Sequence, residues 1–169
     1  MPDGKVQLRP APITDSLRPF PHWPAGGVIS TADGLLSYGE AMLLSYHHYP
    51  GRFLNSDTVK SLWNYKPPVG ITTDTLSDAE GNHHAHVQHL YAMGWERIDF
   101  PADGKDRVWN HTTGVFHIGG IGGSSAILMI FPEANIAFSA IANIGGVGGA
   151  LQALGISVYH SIYSAFVKQ

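Results

Sequence analysis

Residues 111–146 read HTTGVFHIGGIGGSSAILMIFPEANIAFSAIANIGG, and this stretch decides the fold. Its only Asp, Glu, Lys or Arg is Glu133. SAILMIF (125–131) and IAFSAIAN (136–143) are apolar runs of strand length, joined by the turn PEAN (132–135). Runs that are apolar on both faces belong in the interior of a sheet covered on both sides. Immediately before them, LYAMGWERIDF (90–100), the turn PADGKD (101–106) and RVWNHTTGVFHI (107–118) predict a second strand pair. After Asn143 a glycine-rich corner leads into a closing helix. There Leu151, Leu154, Val158, Ile162 and Phe166 form one apolar stripe and Ile156, Tyr159 and Tyr163 another, so both sides need a cover.

Upstream the pattern changes twice. Residues 1–24 carry Pro2, Pro10, Pro12, Pro19, Pro21 and Pro24, and proline lacks the donor and the freedom that helices and central strands require, so an extended lead-in is expected. From Ser30 onward the period is helical: Ser30 or Thr31 can cap, Asp33 falls in the first turn, and Leu35, Tyr38 and Met42 recur on one face, which predicts a helix over 32–45. Asn55-Ser56-Asp57 offers caps for a shorter helix through Trp63, stopped by Pro67-Pro68. Residues 64–89 are rich in Thr, Asp, Gly, Asn and His without a sustained period and read as a long loop.

Composition narrows the classes. The 169 residues fit one domain, with charged residues at 14%, well below the roughly 25% usual in soluble domains, so part of the surface is expected to meet protein. A net charge of −3 gives no basic footprint for nucleic acid. No cysteine is present, so neither a disulfide framework nor a thiolate metal site can form. The apolar stretch is cut by Pro132-Glu133-Ala134-Asn135, short of the about 20 consecutive apolar residues that a membrane span needs.

The string His117-Ile118-Gly119-Gly120-Ile121-Gly122-Gly123-Ser124-Ser125, followed by an apolar strand, Pro132-Glu133 and a strand ending in Asn143, resembles the C-terminal part of the serine β-lactamase and penicillin-binding-protein-like hydrolases, class C related. Upstream, Trp23-Pro24-Ala25-Gly26-Gly27, then Ser30-Thr31-Ala32-Asp33 and Gly39-Glu40-Ala41-Met42-Leu43, is similar to the same family. The resemblance implies an α/β (α+β) domain of β-lactamase/transpeptidase type, an antiparallel sheet flanked by helices, with residues 25–169 as its C-terminal part. It implies acyl transfer from a small-molecule or peptide substrate by a serine nucleophile, no cofactor, and a mitochondrial compartment. That family carries its nucleophile in Ser-x-x-Lys, and none exists here: Pro2, Asp57, Trp63, Ala102 and Ala165 stand three before the lysines. The Tyr-x-Asn or Ser-x-Asn motif is absent as well. The chain alone is therefore expected to be silent as an enzyme, and to associate with the missing N-terminal half or with itself. A non-catalytic binding or structural module is the alternative, and a β-lactam hydrolase the third reading.

By the resemblance, His117 supplies positive or hydrogen-bonding character, Gly119 and Ile118 border the substrate, and the backbone N–H of Gly120 helps hold the oxyanion. The bland alternative is a core histidine ahead of a glycine-rich bulge. Ile118 stands where the family has Thr or Ser, which removes a hydroxyl that meets a substrate carboxylate. His111 with Thr112, Thr113 and Gly114 imitates the motif but loses the downstream spacing, so it reads as strand interior or rim. His83, His84, His86 and His89 suggest a metal, yet no carboxylate or cysteine completes a first shell, and a solvated loop is the expectation. Tyr91, Trp95 and Trp109 could stack on a substrate, although such residues on paired strands are more often cross-strand contacts.

Overall fold

The computed structural model describes residues 26, 28–64, 72–77, 83–100, 112–121 and 123–166. The proline-rich lead-in, Trp109 and His111 lie outside them, as do the side chains of His83, His84 and His86. The described elements are α1 (Ala32–Tyr46), α2 (Ser56–Asn64), β1 (Thr72–Ser77), β2 (His83–Ala92), β3 (Trp95–Asp99), β4 (Thr113–Ile121), β5 (Ser124–Phe131), β6 (Ile136–Ala142) and α3 (Gly148–Phe166), with a 3-10 turn at Pro132–Ala134.

Local chemistry fixes most boundaries. Thr31, in extended conformation, accepts the Gly34 N–H on its Oγ1 at 3.0 Å and starts α1. The Asn55 Oδ1 accepts from Asp57 N at 2.8 Å ahead of α2. In the Pro-Glu turn, Asn135 takes the left-handed conformation at φ 55, and its N–H returns to the Pro132 carbonyl, which reverses the chain between β5 and β6.

The six strands form one antiparallel sheet in sequential order. One face packs α1 and α2 through Met42, Leu43, Val59 and Trp63 onto Trp95, Val115, Leu128 and Ile130. The other packs α3 through Ile156 and Tyr159 onto Phe116, Ile127, Met129 and Phe131. Alternation along β5 thus sends Leu128 to one core and Met129 to the other, as a doubly covered apolar strand requires. Both helices come close through glycine. A Cβ at Gly39 would meet Leu128 Cδ1 at 3.0 Å and Ala137 Cβ at 3.2 Å, and one at Gly155 would meet Phe138 Cδ1 at 2.9 Å and Met129 Sδ at 3.1 Å.

Four expectations change. LYAMGWERIDF is not a single strand: Met93 and Gly94 turn the chain at φ 45 and φ 87, and Ala92 pairs with Trp95 across a tight hairpin. Within 64–89, read as a loop, β1 and most of β2 form instead, pairing Thr72 with His89 through Ser77 with His83. Polar side chains hid these strands because an outer hairpin need not present two apolar faces. IAFSAIAN, expected in the sheet interior, forms β6 at the end of the described strand order with every residue half-buried or exposed. On α3, Leu151 packs against the core, while Leu154, Ile162 and Phe166 are exposed. No helix among the described residues is long and apolar enough to cross a membrane.

Candidate functional site

β4 is longer than its neighbour on one side. β3 pairs with it only from Glu96–Asp99 opposite Phe116–Thr113, whereas β5 pairs with it along Val115–Ile121. Past Phe116, His117–Ile121 therefore have a described partner strand on the β5 side alone. An extended strand with one unpaired edge presents backbone N–H and C=O groups to whatever lies beside it. Gly119 and Gly120 sit within this stretch, and a Cβ at either would come no nearer than 3.5 Å to its closest neighbour, so the backbone there is open to approach.

That edge borders a cleft of about 860 Å³. His117, Ile118, Gly119 and Gly120 all line it, joined by Leu35 and Tyr38 of α1, Trp95 of β3 and Ser124–Leu128 of β5. The resemblance-based residues are therefore brought together, but not all by their side chains. Ile118 is partly buried in the α3 core, and a Cβ on Gly148 would fall 2.5 Å from its Cγ2. Its side chain packs beneath α3, and the residue also lines the cleft. His117 is solvent-exposed, and the Tyr91 hydroxyl stands 3.5 Å from its Nε2 with the two rings edge to face.

The serines of the cleft wall are engaged with backbone. Ser30 donates to the Thr31 carbonyl at 3.3 Å, Ser124 donates to Ile121 O at 2.7 Å, and Ser125 accepts from Val147 N at 3.3 Å. None of these bonds reaches a lysine or histidine, and a serine without a base is a weak nucleophile. His89, the one member of the histidine run with a described side chain, bonds Glu96 Oε2 at 2.8 Å and stacks on Phe116. No group of three or more His, Cys, Asp or Glu among the described residues is placed to hold a metal ion.

Sequence reasoning missed the aromatic wall. Tyr38 was legible only as an apolar helix position, yet its ring lies nearly parallel to Trp95, centroids 6.2 Å apart and planes 13° apart. Trp95 in turn meets Trp63 edge to face at 5.7 Å. Only the hairpin at Met93-Gly94, which places Trp95 at the head of β3 beside α1, makes this contact possible.

The mitochondrial serine beta-lactamase-like protein of Mus musculus is 31% identical over 123 aligned positions, covering 66% of this chain and 19% of that protein. The proteins of the same name from Homo sapiens and Bos taurus are each 30% identical over 122 positions, with the same share of this chain. The chain is related to the serine beta-lactamase-like proteins. The match spans about a fifth of the length of those relatives. No family model matches the chain. The α+β architecture, an antiparallel sheet with helices on both faces, fits a beta-lactamase-like domain of which this sequence represents a part.

Proposed function

We propose that this chain contributes one wall of a serine-hydrolase acyl site, with His117 as an electrostatic or hydrogen-bonding group and the Gly120 N–H as an oxyanion donor. The carrying observation is the edge of β4 at His117–Ile121, which has no second partner strand among the described residues and borders the cleft in a chain related to serine beta-lactamase-like proteins. A preorganised backbone N–H aimed at a developing oxyanion is worth about 10²- to 10³-fold in rate. The nucleophile and its base are supplied by residues outside this sequence, which supports silence of the chain on its own. The acyl substrate is a small molecule or peptide.

Apolar side chains at the cleft and on α3 support association with that further segment or with a second copy. Val28, Ile29, Ile121, Ile141 and Ile144 are exposed, as are Leu154, Ile162 and Phe166 on α3. A monodisperse monomer by sedimentation at micromolar concentration would contradict this part. For the acyl site itself, the test is fluorophosphonate labelling. The isolated chain is expected to take no label, whereas a chimera carrying it in place of the matched region of the mouse relative is expected to be labelled on a serine outside residues 1–169.

A further inference from the structure

The tip between β4 and β5 reads Gly119-Gly120-Ile121-Gly122-Gly123, and Gly120 is the oxyanion donor of the acyl-site reading. Glycine leaves the backbone its widest freedom, so such a tip does not by itself hold an N–H in one direction. Among the described residues, β5 is the sole strand beside His117–Ile121. A donor that acts by being preorganised needs a further support.

The corner that leads into α3 supplies one. Ser125 stands opposite Gly120 across the β4–β5 pair and is only 2% exposed. Its Oγ accepts the Val147 N–H at 3.3 Å, and the Val147 carbonyl accepts the Leu151 N–H at 3.0 Å as α3 begins. Backbone N–H groups at a helix start lack partners within the helix, and Ser125 meets that need at the one position that faces Gly120. Two further contacts flank the bond. A Cβ at Gly148 would fall 2.5 Å from Ile118 Cγ2, and one at Gly145 would fall 3.4 Å from the Gly123 Cα. The α3 corner thus touches the hairpin before, opposite and after Gly120.

We infer that Ser125 is a positioning residue for the Gly120 N–H, acting through its bond to Val147 and the α3 corner. The inference deepens the acyl-site reading and rests on it for the use of that N–H, whereas the mechanical tie needs no reaction.

The test compares Ser125→Ala, the hydroxyl-retaining Ser125→Thr, Gly148→Ala, and Ser139→Ala as a control. Ser139 of β6 makes a serine-to-backbone bond of another kind, donating to the Ala32 carbonyl at 2.7 Å. The first readout is backbone ¹⁵N relaxation of the purified full chain. The Gly120 order parameter is expected near about 0.85 in the parent and Ser139→Ala, and below about 0.6 in Ser125→Ala and Gly148→Ala. If Ser125→Ala does not fold, Gly148→Ala decides on the same signal. The second readout is ester turnover by the chimera with the mouse relative. There Ser125→Ala is expected to lower kcat about tenfold with KM changed by less than about twofold, and Ser125→Thr to restore most of the rate. An unchanged Gly120 order parameter would overturn the inference, as would equal loosening by Ser139→Ala or a raised KM at constant kcat. The acyl-site reading fails separately: a parent chimera without turnover removes the reaction, and relaxation of the isolated chain still decides whether Ser125 holds the edge.

Discussion

Gly148, the first residue of α3, lies directly over Ile118 of β4, so that a Cβ there would fall 2.5 Å from Ile118 Cγ2. The residue after His117 is thereby tied to the packing of the last helix. Ile118→Thr is expected to lower stability by about 1–2 kcal/mol, through a lost methylene and a hydroxyl placed in an apolar contact. It should change selectivity between carboxylate-bearing and neutral substrates little. Urea unfolding of the variant, beside chimera turnover on both substrate types, separates the two effects.

Two glycines of α3 give a graded test of the close packing. Gly155→Ala sets a helix-propensity gain of about 1 kcal/mol against overpacking of about 1–3 kcal/mol where Phe138 and Met129 crowd the new Cβ, and a net loss is expected. Gly149→Ala meets nothing within 4 Å and should be neutral or stabilising by up to about 1 kcal/mol. Midpoints of thermal unfolding should order as Gly149→Ala, the parent chain, then Gly155→Ala.

Alkaline pH should loosen both cores. Burial raises the Tyr159 phenol above its ordinary 10.0, partly offset by its contact with Thr112. Burial, and then the nearby Glu133 carboxylate, raise that of Tyr46. A raised folded-state value means that the native state holds its proton more tightly than the unfolded state does. The contribution is fully present below the unfolded value near 10 and is lost as pH climbs through the folded values. Denaturant midpoints are expected to be level from pH 7 to 9 and to fall above 10, with a shallower fall in Tyr159→Phe. An identical slope in that variant would assign the loss elsewhere.

β5 was legible as the interior of the sheet because SAILMIF is apolar on both faces, whereas IAFSAIA, equally apolar, forms β6 at the end of the described strand order with every residue half-buried or exposed. The Pro-Glu turn and a cap at Ser30 or Thr31 were equally plain, since each depends on chemistry within a few residues, and the structure places the cap at Thr31. The outer hairpin was not, because β1 and β2 draw their polar side chains from the same residue types that mark loops. The Met93-Gly94 turn hid inside a strand-like run, as one glycine was the only local sign of two positive φ values. For the site, motif spacing put His117, Gly119 and Gly120 at the cleft. It could not show that Ile118 faces α3 or that Tyr38 and Trp95 meet, because both depend on how separate elements pack.

The central claim is that His117 and its glycine edge serve an acyl site completed by residues outside this sequence. Its most direct test is turnover of a neutral p-nitrophenyl ester by the isolated chain, by the chimera with the mouse relative, and by the chimera carrying His117→Ala. The account predicts no turnover from the chain alone, turnover from the chimera, and a loss of about 100-fold or more in the His117→Ala chimera. Turnover by the chain alone that maps to one of its own serines, or an unchanged rate in the His117→Ala chimera, would contradict it.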